Sequence, residues 1–205
     1  MAALALSVLF SAGASSAKDR AEDRDIGAIY NNLAGQLLVA APSMPDPRFA
    51  RTVIFVVRHN RDGAMGLVVN RVIGIGSAAR LLEGAGIDVE GMDGDARVRV
   101  HYGGPVDPRR GFVLHSGDYS GEGTLEVTNR VSITAAPQIL HAIAKGKGPI
   151  QSFLAVGYAG WSSGQLESEL ARTDWMVVPS DDQLVFDTEF ATKWRRAMGR
   201  HGIEL

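Results

Sequence analysis

The chain has 205 residues, 45% apolar and 21% charged, with a formal charge of −2 and no cysteine. That is enough material for one globular domain with a full core. The totals exclude disulfides, thiolate nucleophiles and cysteine-held zinc, and the near-neutral charge argues against a broad nucleic-acid surface.

Met1 to Phe10 is an apolar run, followed by small residues through Ala17. Ser15 and Ala17 flank a signal-type cleavage point before Lys18, but no Lys or Arg precedes the run, and it is too short to span a bilayer. No later segment is apolar enough to cross a membrane. Lys18 to Asp25 (KDRAEDRD) alternates in sign and reads as a solvated tether. Residues 1–27 are therefore expected outside the fold, and 33–205 inside it.

Gln36 to Ala40 predicts a strand, and Pro42, Pro45 and Pro47 a loop. Thr52 to Arg58 (TVIFVVR) is rich in β-branched residues and predicts a second strand. Asp62-Gly63 is a hairpin cue, with the partner strand expected over 64–72. Both strands are nearly continuous in apolar residues, which predicts cover on both faces. Ser77 can cap a short helix through Glu83, ended by Gly84 or Gly86, and 88–95 reads as a loop. Arg97 to Tyr102 alternates as a half-exposed strand. Gly111 to His115 follows as its hairpin partner, turning at Pro108.

Thr124 to Thr134 predicts a further hairpin, and Pro137 opens a helix that Gly146 and Gly148 end. Ile150 to Gly157 reads as a buried strand, 164–172 as a helix and Trp175 to Val178 as a strand. The last helix is expected over 188–199, capped by Asp187. Phe190, Trp194 and Met198 would face inward, with Lys193, Arg195, Arg196 and Arg200 in solvent. Strands grouped in hairpins with interspersed helices indicate an α+β domain.

Four constellations carry possible chemistry. Gly160, Trp161, Ser162, Ser163 and Gly164 read G-x-S-x-G between a strand and a helix, with Asp174, Asp187 and His201 in a permitted order for a triad. The same residues also make a crowded turn, with Ser162 and Gln165 as a capping box. Gly74, Gly76 and Ala79 match G-x-G-x-x-A, but the helix that follows is too short for a dinucleotide fold, so a flexible connection is the simpler reading.

His101 and His115 would face each other across the expected hairpin, although no third metal ligand has fitting spacing. His59 and His141 read as isolated surface or helix-face residues. Arg97, Arg99, Arg109 and Arg110 could form an anion-binding corner or simply a solvated face.

The blocks GQLLVAAPSMPDPRFARTVIFV, AMGLVVNR, HYGGPVDPRRGFVLHSGDY and FLAVGYAGWSSGQLESEL, followed by WMVVP, resemble the AlgH/YqgE family of bacterial proteins. They run in order from about Gly35 to the last helix. The resemblance implies a single α+β domain built on a strongly bent, branched mixed sheet, a pseudo-barrel with flanking helices. It also implies cytoplasmic residence, which the leader over 1–17 leaves open to export. The family has no established reaction, and some members carry the label of transcriptional regulator.

The residues shared with its turn pattern are Gly157, Tyr158, Gly160, Trp161, Gly164, Gln165, Leu166 and Glu167, which build a shape. Gly103, Gly104, Pro105 and Val106 do the same. No catalytic, cofactor or metal set is carried over.

The expectation is a non-enzymatic binding or regulatory protein, its ligand or protein partner unknown. The turns at 103–106 and 157–164 should meet and form a shallow cleft with Tyr158 and Trp161, with Asn70, Arg71 and Arg110 at its rim. The candidate cleft is thus Asn70, Arg71, Gly103, Gly104, Pro105, Arg110, Tyr158, Gly160 and Trp161. The rival readings are a serine hydrolase using Ser162 and a DNA-binding regulator.

Overall fold

The computed structural model describes residues 32–84, 89 and 96–200. The leader, the charged tether, all of the 88–95 loop but residue 89, Gly86 and His201 lie outside the described residues. Ten strands and five helices follow one another among those described. The strands are β1 (Gln36–Ala40), β2 (Val53–Asn60), β3 (Gly63–Val68), β4 (Val72–Ser77), β5 (Arg97–Tyr102), β6 (Val106–Ser116), β7 (Thr124–Glu126), β8 (Val131–Thr134), β9 (Ser152–Ser162) and β10 (Trp175–Pro179). The helices are α1 (Ala78–Gly84), α2 (Gln138–Ala144), α3 (Gln165–Ala171), α4 (Asp182–Phe186) and α5 (Phe190–Arg200).

All ten strands join one curled sheet, in the order β10-β1-β2-β3-β9-β6-β8-β7, with β4 and β5 as a branch. Every pairing is antiparallel except β5 with β9. The branch point is β9. One edge of β9 takes β5 along Leu154–Val156 and β3 along Ala159–Ser162; the other edge takes β6. The mixed, branched α+β sheet implied by the resemblance is therefore present.

Strand alternation explains why the apolar runs are continuous. Leu37 and Val39 of β1, Phe55 and Val57 of β2, Phe112 and Leu114 of β6 and Phe153 of β9 share one cluster inside the curl, closed by Leu184, Phe186, Trp194 and Met198. Their neighbours Leu38, Ile54, Val56 and Trp161 face outward and are covered by Leu166 and Leu170 of α3. Further along the outer face, Val98, Val113 and Leu154 pack under Leu82 of α1 and Ile139 and Leu140 of α2. Both faces of the sheet are thus dry over most of its area, and burial at about 25 cal/mol per Å² is the chief force holding it.

The structure corrects four local expectations. The strand after the Asp62-Gly63 turn ends at Val68, and Val72–Ser77 forms β4 where a flexible connection was expected, because β5 supplies a ladder from Arg97 to His101. β5 and β6 do not form a hairpin: β9 lies between them, with His101 beside Ala155 and His115 beside Ser152. His101 and His115 therefore do not face each other.

The last helix starts at Phe190, and α4 precedes it, capped by the Asp181 carboxylate accepting the Leu184 N–H at 2.6 Å. Finally, Lys193 points inward and is fully buried, because three carbonyl and carboxylate groups around the α4–α5 corner receive its ammonium.

Candidate functional site

The chain passes from β5 to β6 by crossing directly over β9. Gly103 N–H donates to the Val156 carbonyl at 2.8 Å, and the Gly103 carbonyl accepts from Val68 N–H at 2.9 Å. Three residues later, Val106 pairs with Tyr158 on the opposite edge of β9. The crossing leaves no space for side chains. Gly104 has φ of 154°, and a Cβ there would collide with the Tyr158 carbonyl carbon and the Ala159 nitrogen. Gly157 has φ of 70°, and its Cβ would strike the Gly104 carbonyl oxygen. Only glycine meets both demands, a left-handed backbone and backbone-to-backbone contact.

β6 then makes an excursion. Its register with β9 jumps from Val106 to Gly111, so Asp107 to Arg110 bulge away, with Asp107 at φ of 45°. An open groove of about 550 Å³ lies beside this bulge. Its walls are Val57, Arg58, Ala64 and Met65 of the β2–β3 hairpin, Val106, Arg110 and Phe112 of β6, Leu125 of β7, and Tyr158, Gly160, Trp161 and Ser162 of β9. The Tyr158 ring meets Phe112 edge-on at 6.0 Å, and the Arg110 guanidinium lies 5.0 Å from the Phe112 centroid.

Among the described residues two cations line the groove, Arg58 and Arg110, and no acidic side chain does. Neither arginine forms a salt bridge with a described residue.

The floor is fixed from behind. Glu169 of α3 accepts the indole N–H of both Trp161 and Trp175 on one oxygen, each at 2.7 Å, and the Gln165 amide on the other at 2.9 Å. His59 is buried against the same helix, not on the surface as its sequence context suggests. Its Nδ1 accepts from Leu33 N–H at 3.1 Å, so Nε2 carries the proton and donates to Glu167 at 2.8 Å. The capping box is half present. Gln165 Oε1 accepts from Ser162 N–H at 3.0 Å, but Gly164 occupies the helix cap and Ser162 ends the strand.

Of the residues singled out in the sequence, Arg110, Tyr158, Gly160 and Trp161 line one groove, with Gly103, Gly104 and Pro105 in the crossing next to it. Asn70 and Arg71 lie elsewhere. Asn70 accepts from Val53 N–H and donates to the Arg51 carbonyl, each at 2.9 Å. Arg71 donates to the carbonyls of Arg48 and Ala50 and so fastens the proline loop.

The arginine corner does not assemble either. Arg109 lines a separate apolar hollow with Leu81 and Leu140, and Arg99 donates to the Phe186 carbonyl at 3.1 Å. Sequence reasoning missed Arg58, Met65, Phe112 and Leu125. They come from four strands, β2, β3, β6 and β7, and no local signal joins the first two to the last two.

A second polar group sits beneath α5. His101 is wholly buried, stacked on Phe153 with centroids 4.0 Å apart, and neither ring nitrogen has a hydrogen-bond partner. Burial, with the nearby charges of Arg99 and Lys193, pushes its pKa down to about 3. Burial likewise pushes Lys193 down to about 8, opposed by Asp187. Its ammonium donates to the carbonyls of Val185 and Asp187 at 3.1 and 3.3 Å. Burial raises the Asp187 carboxyl, but the Arg196 bond and the Lys193 charge outweigh it and hold the group below the ordinary range.

Comparison with known proteins accords with this architecture. A family model described as AlgH-like matches residues 37–205. A UPF0301 protein of Rhodospirillum rubrum is 48% identical over 84% of this chain and 88% of its own length. A UPF0301 protein of Methylococcus capsulatus is 45% identical over 86% of this chain and 95% of its own. The solution structure of the AlgH protein from Pseudomonas aeruginosa superimposes with a TM-score of 0.72 at 38% identity, covering 84% of this chain and 90% of that one. A crystal structure of a Corynebacterium diphtheriae protein shares the fold with a TM-score of 0.64 at 23% identity, over 87% and 93% of the two chains.

Proposed function

We propose that this chain, which belongs to the AlgH-like family, is a non-enzymatic binding or regulatory protein that recognises an anionic ligand or partner in the Tyr158–Trp161 groove. The observation that supports this reading most is the pairing of two exposed guanidinium groups, Arg58 and Arg110, which form no ion pair with a described residue, with the aromatic and apolar walls of Tyr158, Phe112 and Met65. Arginine forks suit carboxylate or phosphate, and apolar walls supply the burial that makes a contact bind. A floor locked by Glu169 and by the glycine crossing reduces the ordering that a ligand must impose.

The hydrolase reading has little support. A serine nucleophile needs a base within hydrogen-bond reach. Among the described residues, Ser162 Oγ bonds to no histidine, and both ring nitrogens of His59 and of His115 are engaged elsewhere. The DNA-binding reading loses Lys193 to the interior, while Arg196 is ion-paired with Asp187 and Arg200 with Asp181.

An NMR screen of aromatic carboxylate fragments against the ¹⁵N-labelled full chain tests the proposal. Shifts are expected to centre on Gly160, Met65 and Leu125 and to vanish in an Arg58→Glu, Arg110→Glu double variant. Hits that centre on another surface, or that ignore the double variant, would overturn it. Labelling of Ser162 by a fluorophosphonate would revive the enzyme.

A further inference from the structure

The strand that borders the groove is unfinished on the groove side. β9 pairs with β3 through Ala64 opposite Trp161 and Gly66 opposite Ala159. The Trp161 carbonyl oxygen lies against Gly63, so the N–H and C=O of Trp161 face β3. Backbone groups alternate along a strand, so those of Gly160 and Ser162 face the other edge. The Ser162 N–H is turned that way, donating to Gln165 Oε1. β6 should continue along this edge, but its ladder ends at Val106 opposite Tyr158, because the chain has just crossed over β9 at Gly104. Gly160 is exposed in the middle of a strand, and by this alternation its N–H and C=O are directed to the edge beside Arg110, where no described strand pairs with it.

We infer that the groove takes an extended, acidic peptide segment of a partner protein, which adds as a short strand to the free edge of β9 at Gly160 and sets a carboxylate against Arg58 and Arg110; this occupant rests on the groove being the binding site proposed above. Four features support this occupant. An open strand edge offers a donor and an acceptor in strand spacing, which only another extended backbone satisfies together. Glycine at 160 leaves the edge unshielded, where a larger residue would press on the Tyr158 ring, already 3.2 Å from the position of a Cβ. The two arginines make the groove cationic, with no acid among its described lining residues, so acidic side chains are favoured and basic ones repelled. The Tyr158, Phe112 and Leu125 side chains supply apolar contact for the alternate residues of the incoming strand.

The test titrates the ¹⁵N-labelled full chain with acetyl-Val-Glu-Val-Glu-Val-Glu-amide, with its Val-Lys counterpart, and with two Val-Glu versions N-methylated on alternate residues. The acidic peptide should shift the Gly160 amide and slow its hydrogen exchange. The lysine peptide should bind at least about tenfold more weakly, as should one of the two N-methyl versions, the one that loses the paired N–H groups. The Arg58→Glu, Arg110→Glu variant should remove the preference for glutamate over lysine.

Equal binding of both N-methyl versions would overturn strand addition while leaving the groove as a binding site. No perturbation of Gly160 at millimolar acidic peptide, or a stronger response to a short oligothymidylate, would overturn the peptide outright. The groove itself fails only if the aromatic carboxylate fragments go elsewhere, so the two failures are separable.

Discussion

The two halves of β9 differ more than their common strand conformation suggests. From Ser152 to Val156 the strand is paired by β6, with β5 on its other edge along Leu154–Val156, and His101 is shut in over Phe153. From Ala159 to Ser162 it is paired, among the described strands, by β3 alone and borders a cationic groove. Gly157 separates the two. A strand with both edges filled is scaffold, and its polar groups matter only through stability. A strand with one edge left open is a surface on which recognition can act.

The comparison is broken most severely at the boundary. Gly104→Ala should cost about 3–5 kcal/mol or prevent folding, because backbone meets backbone there and nothing can give way. Urea denaturation measures this; a loss of under about 1 kcal/mol would mean that the crossing is looser than described.

In the closed half, His101 is buried neutral with its pKa held at about 3, below the unfolded value of 6.5. Between those values the unfolded chain binds the extra proton, so stability falls as pH falls, by about 1.4 kcal/mol per pH unit. His101→Phe should remove that slope and gain about 2–3 kcal/mol over wild type at pH 4, read from paired urea curves at pH 4 and 7. Lys193 acts in the same sense on the alkaline side: stability should rise as pH passes from about 8 towards 10.5.

Behind the open half, Glu169→Ala leaves two buried indole N–H groups without an acceptor and should cost about 2 kcal/mol, seen as a lower thermal midpoint with altered tryptophan fluorescence. The smallest effect on stability, within about 0.5 kcal/mol, belongs to the Arg58→Glu, Arg110→Glu variant, whose exposed guanidinium groups form no ion pair with a described residue and give up only the Arg110 contact with the Phe112 ring. That pair should nonetheless produce the largest loss of anion binding. A large drop in stability there would mean that the groove cations are structural after all.

Much of the sheet was legible in the residues because its strands are apolar runs bounded by Gly and Pro. The runs at Gln36–Ala40, Val53–Asn60 and Trp175–Pro179 are of this kind. What was not legible was non-local. No spacing tells that β9, arriving 36 residues after β6 ends, slides between β5 and β6, so the histidine pair drawn across an imagined hairpin was wrong. Lys193 sits among Arg195, Arg196 and Arg200 in a segment that reads as a basic solvent face; only the fold of α4 beneath it brings carbonyls to its ammonium.

At the groove, Tyr158, Gly160, Trp161 and Arg110 stood out as turn-formers, aromatics and rim charge. Phe112, Met65 and Leu125 look like ordinary strand residues, and only the packing of β3, β6 and β7 brings them to one groove beside the bulge at Asp107–Arg110.

The bridge at Gly103–Gly104 also constrains the order in which the molecule can be assembled. The strand it spans is synthesised some fifty residues later, so a nascent chain that has emerged only to Ala144 has β5 and β6 with nothing to separate them. The sheet cannot close at β5 and β6 until β9, which lies between them, has been made. Such long-range insertion slows folding and leaves two unpaired borders exposed on the ribosome, where a chaperone has its best opportunity to act.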